Sequence, residues 1–531
     1  MRTNIRALAL AAVTAWSSDV FAQGRPAPDL TRATIEDLMN ITITSASRKE
    51  ERAAEVAAAI YVITNDEIRR SGITSLPELL RLAPGVQVAQ INSNKWAVSV
   101  RGFNGLFSNK LLVLIDGRSV YNHLFSGVLW DSEDLPVESI ERIEVIRGPG
   151  AAVWGANAVN GVINILTRSA ADTKGALIRV GGGTFEPAQL LARYGGALGN
   201  VDYRVFSQWT ASGDSRLASG ADANDTWQRT TAGLRSDWTS GPRALMLQAK
   251  VTHARANGLW IDFGPGSSAA AARPIETPSV MTSGAVVGRW TLQRANGASL
   301  QLQSTMDLSR RDEPVGDYRR RTVGTELQYH TGLGRHDVVA GGGYRFMHEQ
   351  IAGRNGYTLT PETSNDHRAD VFAQDEMMFA AERLHLTVGS RLERDGVAGW
   401  GLQPTARLVW AVVPRRQFAW VATSRALRTP SLTDRGIRVD FASTTAPGGL
   451  PVRVSAIGSP DVQTEVLSDV ETGYRLEVAS AATVAVTGFY GRYDHLITNE
   501  QQPPSVAFDA GGPYVSVPIR FGSLLGGNSS G

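Results

Sequence analysis

The sequence predicts a small α+β domain followed by an antiparallel transmembrane β-barrel. Three observations lead to this fold class. The first residues are typical of an export signal. No later stretch reaches the roughly 18 to 20 apolar residues of a membrane-spanning helix. Beyond residue 174, the chain alternates apolar and polar side chains over segments of about ten residues. An exported membrane protein without a spanning helix must cross the bilayer with strands.

The N-terminus has the features of a secretory signal in the usual order. Arg2 and Arg6 precede an apolar run over residues 7–16, and small residues follow up to Ala22. A buried helix is the alternative for this run, but the basic start and the cleavage site favour a signal peptide over residues 1–22. The mature chain would then begin with Gln23.

Composition excludes several classes of function. The 531 residues include no cysteine, which leaves no disulfide framework, no thiolate metal site and no cysteine nucleophile. The formal net charge is only +2 and there is no basic tract, so nucleic acid is not an expected partner. Only 20% of the residues are charged and 54 are glycine, a balance that favours short strands and turns over a helical enzyme.

Between residues 48 and 170 the pattern indicates a compact α+β domain. An apolar strand at 60–64 is followed by Asn65, which is placed to cap a short helix, and Ser75 with Glu78 three residues later gives the capping-box pattern of a second helix. Further strands, separated by turn residues, are predicted at 96–101, 111–116 and 140–147.

From residue 171 to 531 we predict the barrel. In residues 299–309, for example, leucine and methionine alternate with glutamine, threonine and aspartate, which is the two-residue period of a strand. About sixteen such segments can be counted. A soluble β-sandwich also alternates, but the export signal, the number of segments and the long polar loops favour the barrel.

The α+β region carries long motifs that resemble the plug domain of the TonB-dependent outer-membrane receptor family. These are SLPELLRLAPGVQV (75–88), VSVRGF (98–103), LLVLIDGRSVY (111–121) and SIERIEVIRGPGAAVWGANAVNGVINILT (139–167). The residues matched to the plug signature are Gly102, Asp116, Gly117, Arg142, Gly148, Gly155 and Gly161. SRALRTPS (424–431), SPDVQTE (459–465) and ETGYR (471–475) resemble the barrel signatures, with Ser459, Val462, Gln463 and Thr464 where Asn, Leu, Lys and Pro are common.

The resemblance implies a fold and a function. It implies a plug inside a transmembrane β-barrel, in the outer membrane of a Gram-negative bacterium. We expect active import of a scarce nutrient, a ferric siderophore or similar metal chelate, driven by TonB with ExbB and ExbD. Lipid and the small-molecule ligand are the other partners, and no catalytic residue, cofactor, resident metal or nucleic acid is implied. The alternatives are a passive or adhesive outer-membrane barrel, or a non-functional receptor fragment.

Residues 23–47 are predicted to form a mobile periplasmic arm. Its last part is short, β-prone and uncharged, which suits the addition of a strand to an exposed sheet edge. Because the family has its TonB box before the plug, we expect this part to be exposed and to bind TonB; an ordinary edge strand of the plug is the alternative. The residues concerned are Ile41, Thr42, Ile43, Thr44, Ser45 and Ala46.

Two plug arginines form the second candidate site. Arg101 and Arg147 each precede a glycine and resemble family positions that pair with glutamates of the barrel wall, for which Glu465 and Glu471 are the candidates. A buried pair fixes register more reliably than it adds stability, because desolvation opposes the attraction. Such a latch would hold the plug until TonB pulls. The alternative is that the arginines bind local carbonyls or lumen water.

Other patterns are weaker. The GPG sequence at 148–150 imitates the start of a dinucleotide motif, but its proline has no N–H and the third glycine is absent. An acidic loop has the residue types of a calcium site without the spacing of an EF-hand, so a solvated loop is preferred; its members are Asp214, Asp222, Asn224 and Asp225. The histidine of haem receptors is missing between the barrel motifs, and no catalytic triad context is present.

The number of strands gives the last expectation. Family barrels have about 22 strands, whereas about sixteen segments are counted here. The chain ends in the polar GGNSSG of 526–531 instead of an aromatic strand. We therefore expect a truncated or frameshifted form whose wall is open, with unpaired backbone groups at its last strand and plug surface exposed beside it.

Overall fold

The computed structural model describes residues 42–258, 260–262, 273–275, 278–479, 482–509, 512–524 and 527–531. The predicted signal peptide at 1–22 and the predicted arm up to Ile41 lie outside the described residues. None of the helices in the part of the chain that the structure describes is long and apolar enough to cross a membrane.

A five-stranded sheet forms the centre of the N-terminal domain. The elements of this domain are β1 Thr42–Ile43, β2 Glu51–Arg52, β3 Ala59–Thr64, α1 Asn65–Ser71, α2 Leu76–Leu79, β4 Val86–Asn92, β5 Lys95–Val100, β6 Leu111–Ile115, β7 Arg118–Ser119, β8 Tyr121–Asn122, β9 Gly127–Val128, β10 Ile140–Arg147, α3 Ala151–Trp154 and β11 Gly161–Thr167. The sheet order is β3-β10-β11-β6-β7, and only the β11–β6 pair is parallel.

Strand β6 is apolar throughout because both faces of this sheet are covered. Leu111, Val113 and Ile115 point into one apolar cluster, while Leu112 and Leu114 point into a second cluster on the opposite face. All five side chains are buried. A strand buried on both faces shows a continuous apolar run instead of alternation.

Capping residues set the limits of the first two helices. Thr64 is the N-cap of α1 and forms a reciprocal capping box with Glu67, so the helix includes Asn65 rather than being capped by it. Gly72 ends α1 in the left-handed conformation. The capping box expected at Ser75 is absent, because its Glu78 instead accepts a hydrogen bond of 2.7 Å from the indole N–H of Trp96.

The remainder of the chain builds a wall of sixteen antiparallel strands. These are β12 Gly175–Gly181, β13 Ala188–Leu198, β14 Val201–Ser212, β15 Trp227–Ser240, β16 Arg243–Ala256, β19 Ser279–Gln293, β20 Ser299–Glu313, β21 Gly316–Leu333, β22 His336–Gly353, β24 Thr363–Phe379, β25 Leu384–Asp395, β26 Gly399–Val413, β27 Gln417–Arg428, β30 Glu465–Ala479, β31 Ala482–Asp494 and β35 Gly527–Ser530. The predicted fold class and the count of about sixteen segments are confirmed.

The two faces of the wall have opposite polarity. On β20, Leu302 and Met306 are exposed on the outer face, whereas Gln303 and Asp307 are buried on the inner face. β16 repeats the pattern, with Leu245, Leu247 and Val251 outside. An apolar outer band with a polar interior is the arrangement of an outer-membrane barrel.

The two ends of the wall differ in their connections. One end, the turn end, has connections of two to five residues such as 199–200, 241–242 and 294–298. The other end, the loop end, has the longest connections, including 213–226 and 429–464. Outer-membrane barrels place short turns in the periplasm and long loops outside the cell, which assigns the two ends.

Further strands pair at the loop end, outside the wall. They are β17 Trp260–Asp262, β18 Arg273–Ile275, β23 Tyr357–Leu359, β28 Ile437–Thr445, β29 Pro451–Ile457, β32 Leu496–Gln501, β33 Ser505–Asp509 and β34 Gly512–Leu524, with the helix α4 at Leu432–Gly436. β17 pairs with β18, and the others form a second sheet, here called the loop sheet. Within the described residues no ladder joins β12 to β31 or β35, so the wall has two free edges, as expected.

The plug strand β6 ends in a tight turn that ties it to β11. Asp116 and Gly117 have φ values of 48° and 79°, the left-handed pair that a type I′ turn requires. The Asp116 carboxylate accepts hydrogen bonds from the Thr167 backbone N–H (2.9 Å) and hydroxyl (2.8 Å). One side chain thus fixes both the turn and the end of the neighbouring parallel strand.

Replacing Asp116 with alanine should loosen this corner of the plug. Two buried hydrogen bonds are lost, which corresponds to about 1–3 kcal/mol of local stability. Hydrogen exchange of residues 111–119 and 161–167 should accelerate by one to two orders of magnitude, roughly the equivalent of that free energy. Asp222→Ala, which removes only an exposed ion pair with Arg216, is the matched control and should change neither segment. Unchanged exchange in the Asp116 variant would contradict the assignment.

Candidate functional site

The segment before the plug is packed at the turn end. Thr42–Ile43 pairs with Glu51–Arg52, and Ile43, Ser45 and Ala46 are buried. The expectation that this part of the arm is exposed is therefore wrong for these residues. Of the six residues expected to bind TonB, Ile41 lies outside the described residues, and the other five are held in this hairpin.

A buried carboxylate explains why the segment is held. Glu144 on β10 is fully buried and accepts hydrogen bonds from the backbone N–H groups of Thr44 (3.0 Å) and Ser45 (2.9 Å). The indole of Trp154 donates to the Ser45 carbonyl at 2.6 Å, and Arg142 donates to Glu144 at 2.8 Å. A buried charge is tolerated only when it is paired and hydrogen-bonded, and the arm supplies part of that bonding.

Ion pairs continue the attachment onto the wall. Arg48 pairs with Glu326 on β21, and Lys49 pairs with Asp337 on β22 (2.7 Å) and with Glu376 on β24. These contacts lie beside the short turns. The arm is consequently bonded both to the plug and to three neighbouring wall strands.

The first predicted latch arginine reaches a predicted partner. The Arg101 guanidinium pairs with Glu471 on β30, lies 3.8 Å from Asp469, and donates to the Arg147 carbonyl at 2.7 Å. Its guanidinium also stacks 3.9 Å from the ring centre of Phe489. The Arg101 side chain and both carboxylates are largely buried, which strengthens these ion pairs relative to surface pairs.

Arg147 does not form the predicted pair. Among the described residues it has no carboxylate within ion-pair distance, and its Nε has no hydrogen-bond partner. The reason is competition, because Arg101 already occupies Glu471 and Gly148 brings the plug backbone against the same carboxylate. Burial, with the neighbouring Arg101 charge, lowers the pKa of Arg147.

Glu465 has a different plug partner from the one expected. It pairs with Lys110, which immediately precedes β6, and with Arg428 on β27 at 3.2 Å. It also accepts the Ile497 backbone N–H at 3.0 Å. Burial lowers the pKa of Lys110, although Glu465 opposes that effect. The plug is thus latched to the wall by Arg101 and Lys110 instead of by Arg101 and Arg147.

Equivalent contacts surround the plug. They include Arg118 with Asp307 (2.6 Å), Glu133 with Lys250 (2.9 Å), Asp131 with Arg311 (2.7 Å), Asp134 with Arg229 (2.7 Å), His123 with Glu349 (3.2 Å) and the Ala156 N–H with Glu393 (2.9 Å). The partners lie on wall strands from β15 to β25. The plug therefore fills the interior of the wall and is bonded to it on several sides.

The acidic loop considered for calcium is a set of local caps. Asp225 accepts the backbone N–H groups of Ser93 (2.8 Å) and Ser215 (2.7 Å), and Asp214 accepts the Asp225 N–H at 2.7 Å. Within the described ranges, no group of three or more ligating side chains could hold a metal ion. These carboxylates therefore fix the loop to the β4–β5 hairpin of the plug.

A cavity of about 610 Å³ lies at the loop end, between the plug, the wall and the loop sheet. Its lining includes Trp96 and Phe107 of the plug, Tyr318 of the wall and Ile437 of the loop sheet. A ligand in this space would contact all three parts of the molecule. The arm lies at the opposite end of the same plug.

Comparison with known families matches nearly the whole described chain. The model described as "TonB-dependent Receptor Plug Domain" matches residues 52–162, and the one described as "TonB dependent receptor-like, beta-barrel" matches residues 177–523. The chain belongs to the TonB-dependent receptors. The family is one of transporters and receptors.

Curated relatives of this TonB-dependent receptor include vitamin B12 transporters BtuB. The protein from Vibrio vulnificus is 38% identical over 144 residues, which cover 27% of this chain and 23% of the relative. The one from Photobacterium profundum is 33% identical over 188 residues, covering 35% and 30% respectively. Each match spans less than a third of the relative's own length.

Solved structures of other TonB-dependent receptors share the fold. The siderophore receptor PirA from Pseudomonas aeruginosa superposes with a TM-score of 0.66 at 17% identity, covering 90% of this chain and 81% of that one. The alcaligin receptor FauA from Bordetella pertussis gives 0.63 at 16% identity, covering 91% and 78%. At these identities the likeness establishes the fold alone.

The plug-signature residues of this receptor lie mostly where the plug meets the wall. Gly148 faces Glu471, Gly155 faces Glu393, and Gly117 faces Arg289 and Gln303. A side chain at Gly148 would overlap the Glu471 carboxylate, so only glycine permits the Arg101 pair in its present form. Gly161 packs within the sheet, and Gly102 follows Arg101 at the tip of the plug. Arg142 donates a hydrogen bond to the buried Glu144 carboxylate.

Three groups of residues at these sites are not among those predicted from the sequence. Glu144 lies between Ile143 and Val145 in a strand that also carries Glu141, and its carboxylate between two apolar residues was the signal of a buried partner. Lys110 stood directly before the apolar run of β6 and gave a similar signal. The aromatic lining of the cavity gave none, because it comes from segments far apart in the chain.

Replacing Glu471 with alanine should weaken the hold of the wall on the plug. Arg101 would remain buried without its main partner, which corresponds to about 3–5 kcal/mol. Plug unfolding by urea in detergent, followed by tryptophan fluorescence, should shift to lower concentrations. The double variant with Arg101→Ala should lose less than the sum of the single variants. Strict additivity would contradict the pair, and Glu141→Ala, at a half-exposed pair with Arg142, is the control.

Raising the pH from about 5 to about 8 should loosen the arm. Burial raises the pKa of Glu51 from 4.5 to about 7, with Lys49 opposing and Glu376 adding repulsion. The folded protein therefore retains a proton that the released segment loses, so stabilisation is greatest at the acidic end and disappears as pH rises through 7. Hydrogen-exchange protection of residues 42–52, corrected for the intrinsic rate, should fall accordingly. Glu51→Gln should make the hydrogen-exchange protection of residues 42–52 less dependent on pH. The same pH dependence in the variant and the original protein would contradict the role of Glu51.

Proposed function

We propose that this receptor imports a scarce nutrient across the outer membrane, with TonB, ExbB and ExbD supplying the energy. The observation that carries the proposal is the position of the plug. It fills the wall, contributes to a cavity at the loop end and holds the arm at the turn end. A ligand arriving from outside and a partner acting from the periplasm would therefore bind opposite ends of one domain.

Occlusion favours active import over a passive channel. A wide barrel conducts water and solutes unless its lumen is filled, and here plug and wall are joined by buried ion pairs. Passage requires those pairs to separate or rearrange. Such a rearrangement needs an energy input, because breaking a buried pair exposes uncompensated charge.

The arm is the proposed site at which that energy enters. Residues 41–46 would bind TonB by adding a strand to its sheet edge, which requires free backbone N–H and C=O groups. The amides of Thr44 and Ser45 are bonded to Glu144, so the segment must first leave the plug. Release of the arm therefore precedes TonB binding in this proposal.

The arm leads directly into the edge of the plug sheet. Strand β3 follows the arm and, among the strands of the described ranges, pairs only with β10. A pull on the arm would load this edge strand before any other part of the sheet. The nutrient that passes is proposed to be a ferric siderophore or a similar metal chelate, since solved neighbours are siderophore receptors and curated relatives are vitamin B12 transporters.

Energy dependence tests the proposal against a passive or adhesive barrel. Cells that express this chain in the outer membrane, with iron supplied only as a chelate, should accumulate it and grow. Deletion of residues 41–46, or collapse of the proton gradient by an uncoupler, should abolish accumulation. A deletion of equal length within the exposed loop 217–222 is the control and should retain uptake. Uptake that survives both treatments would contradict the proposal.

A further inference from the structure

We propose that the loop-end cavity binds an uncharged ligand with an apolar or aromatic surface, in preference to a polyanionic chelate. This inference rests on the proposed function and specifies its substrate class. The cavity of about 610 Å³ is within the range of roughly 300–1,000 Å³ that is usual for small-molecule sites. The evidence comes from its lining and its charges.

The lining is largely aromatic and aliphatic. Phe107, at the tip of the plug, is 62% exposed although it faces the cavity and not lipid. Its ring packs edge-on against Phe125 at 5.2 Å, which leaves its outer face uncovered. Trp96 and Trp130 form further walls of the same space. An exposed ring in a concave site marks a place where an apolar ligand surface can be buried.

The cations of the cavity are already neutralised. Among the described residues that line it, the only cations are Lys95 and Arg311. Arg311 makes ion pairs with Asp131 (2.7 Å) and Glu313 (2.9 Å), and Lys95 lies 3.6 Å from Asp131. A third carboxylate, Asp434, is paired with Arg428 at 2.5 Å. The described lining therefore has two cations and three carboxylates.

This charge balance opposes a polyanion. Recognition of several negative charges requires guanidinium or ammonium groups that are free to donate to them. Here a polyanion would have to displace Asp131 or Glu313 from Arg311 and leave a carboxylate uncompensated. Arginines do cluster elsewhere, around Arg118, Arg368 and Arg391, but that space between plug and wall is only about 100 Å³. An uncharged ligand would not have to displace a carboxylate from Arg311 or leave one without its cation.

Two ferric probes of similar size separate the alternatives, an uncharged tris-hydroxamate chelate and a trianionic tris-catecholate chelate. Both are titrated against the purified full chain in detergent, with quenching of tryptophan fluorescence as the readout. The uncharged probe should bind about tenfold or more tightly than the trianion. Preference for the trianion, or no binding of either probe, would overturn the inference.

Matched variants locate the binding. Phe107→Ala should weaken binding of the uncharged probe by about tenfold, and Ala456→Trp, which fills the cavity from the loop sheet, should abolish it. Phe508→Ala, at a 76% exposed ring outside the cavity, is the control and should bind normally. Normal binding by both cavity variants would place the ligand elsewhere and overturn the inference. Binding does not depend on energy, so it succeeds or fails independently of the uptake test.

Discussion

The inner face of the wall carries arginine, glutamate and aspartate side chains, and these must be bonded to something if the wall is to remain folded around a dry interior. The plug supplies those bonds. Arg101 and Lys110 meet Glu471 and Glu465 on β30, and Arg118 meets Asp307 on β20. Because each pair is desolvated, its net stabilisation is small, but separating it is costly. The plug is thus held in one register and is released only by work.

The same principle operates at the arm. Glu144 lies in the middle of β10 and is bonded by the backbone of Thr44 and Ser45, so the segment proposed for TonB also stabilises a charge inside the plug. When the arm leaves, that charge loses partners and the neighbouring edge strand β3 is loaded. Release of the arm therefore weakens the plug before any strand of the plug is pulled out, and the aromatic cavity lies at the far end of the domain that is weakened.

The fold could be predicted from the sequence because it rests on local information: a two-residue period reports the two faces of the wall, and long motifs identify the plug. The Arg101–Glu471 pair joins residues 370 positions apart and was expected only because Arg101 resembles a family position. Other contacts between distant residues had no such motif and were not predicted. Ser45 and Glu144 are separated by 99 positions, and nothing near either residue indicates the other. Arg147 was assigned a carboxylate on the same grounds as Arg101, but one glutamate accommodates only one of them. At Ser75 the tertiary contact of Glu78 with Trp96 overrode a local capping pattern.

Mechanical loading tests the central claim most directly, namely that work done on the arm is delivered to the plug while the wall stays intact. The protein would be held in a supported bilayer and pulled by its arm from the turn end with an atomic-force probe. We predict two successive events below the force that extracts the wall, first the detachment of residues 42–52 and then the unravelling of the plug from β3. Glu144→Ala should lower the force of the first event only. Release of the arm with no later plug event, or extraction of wall strands before the plug, would contradict the account.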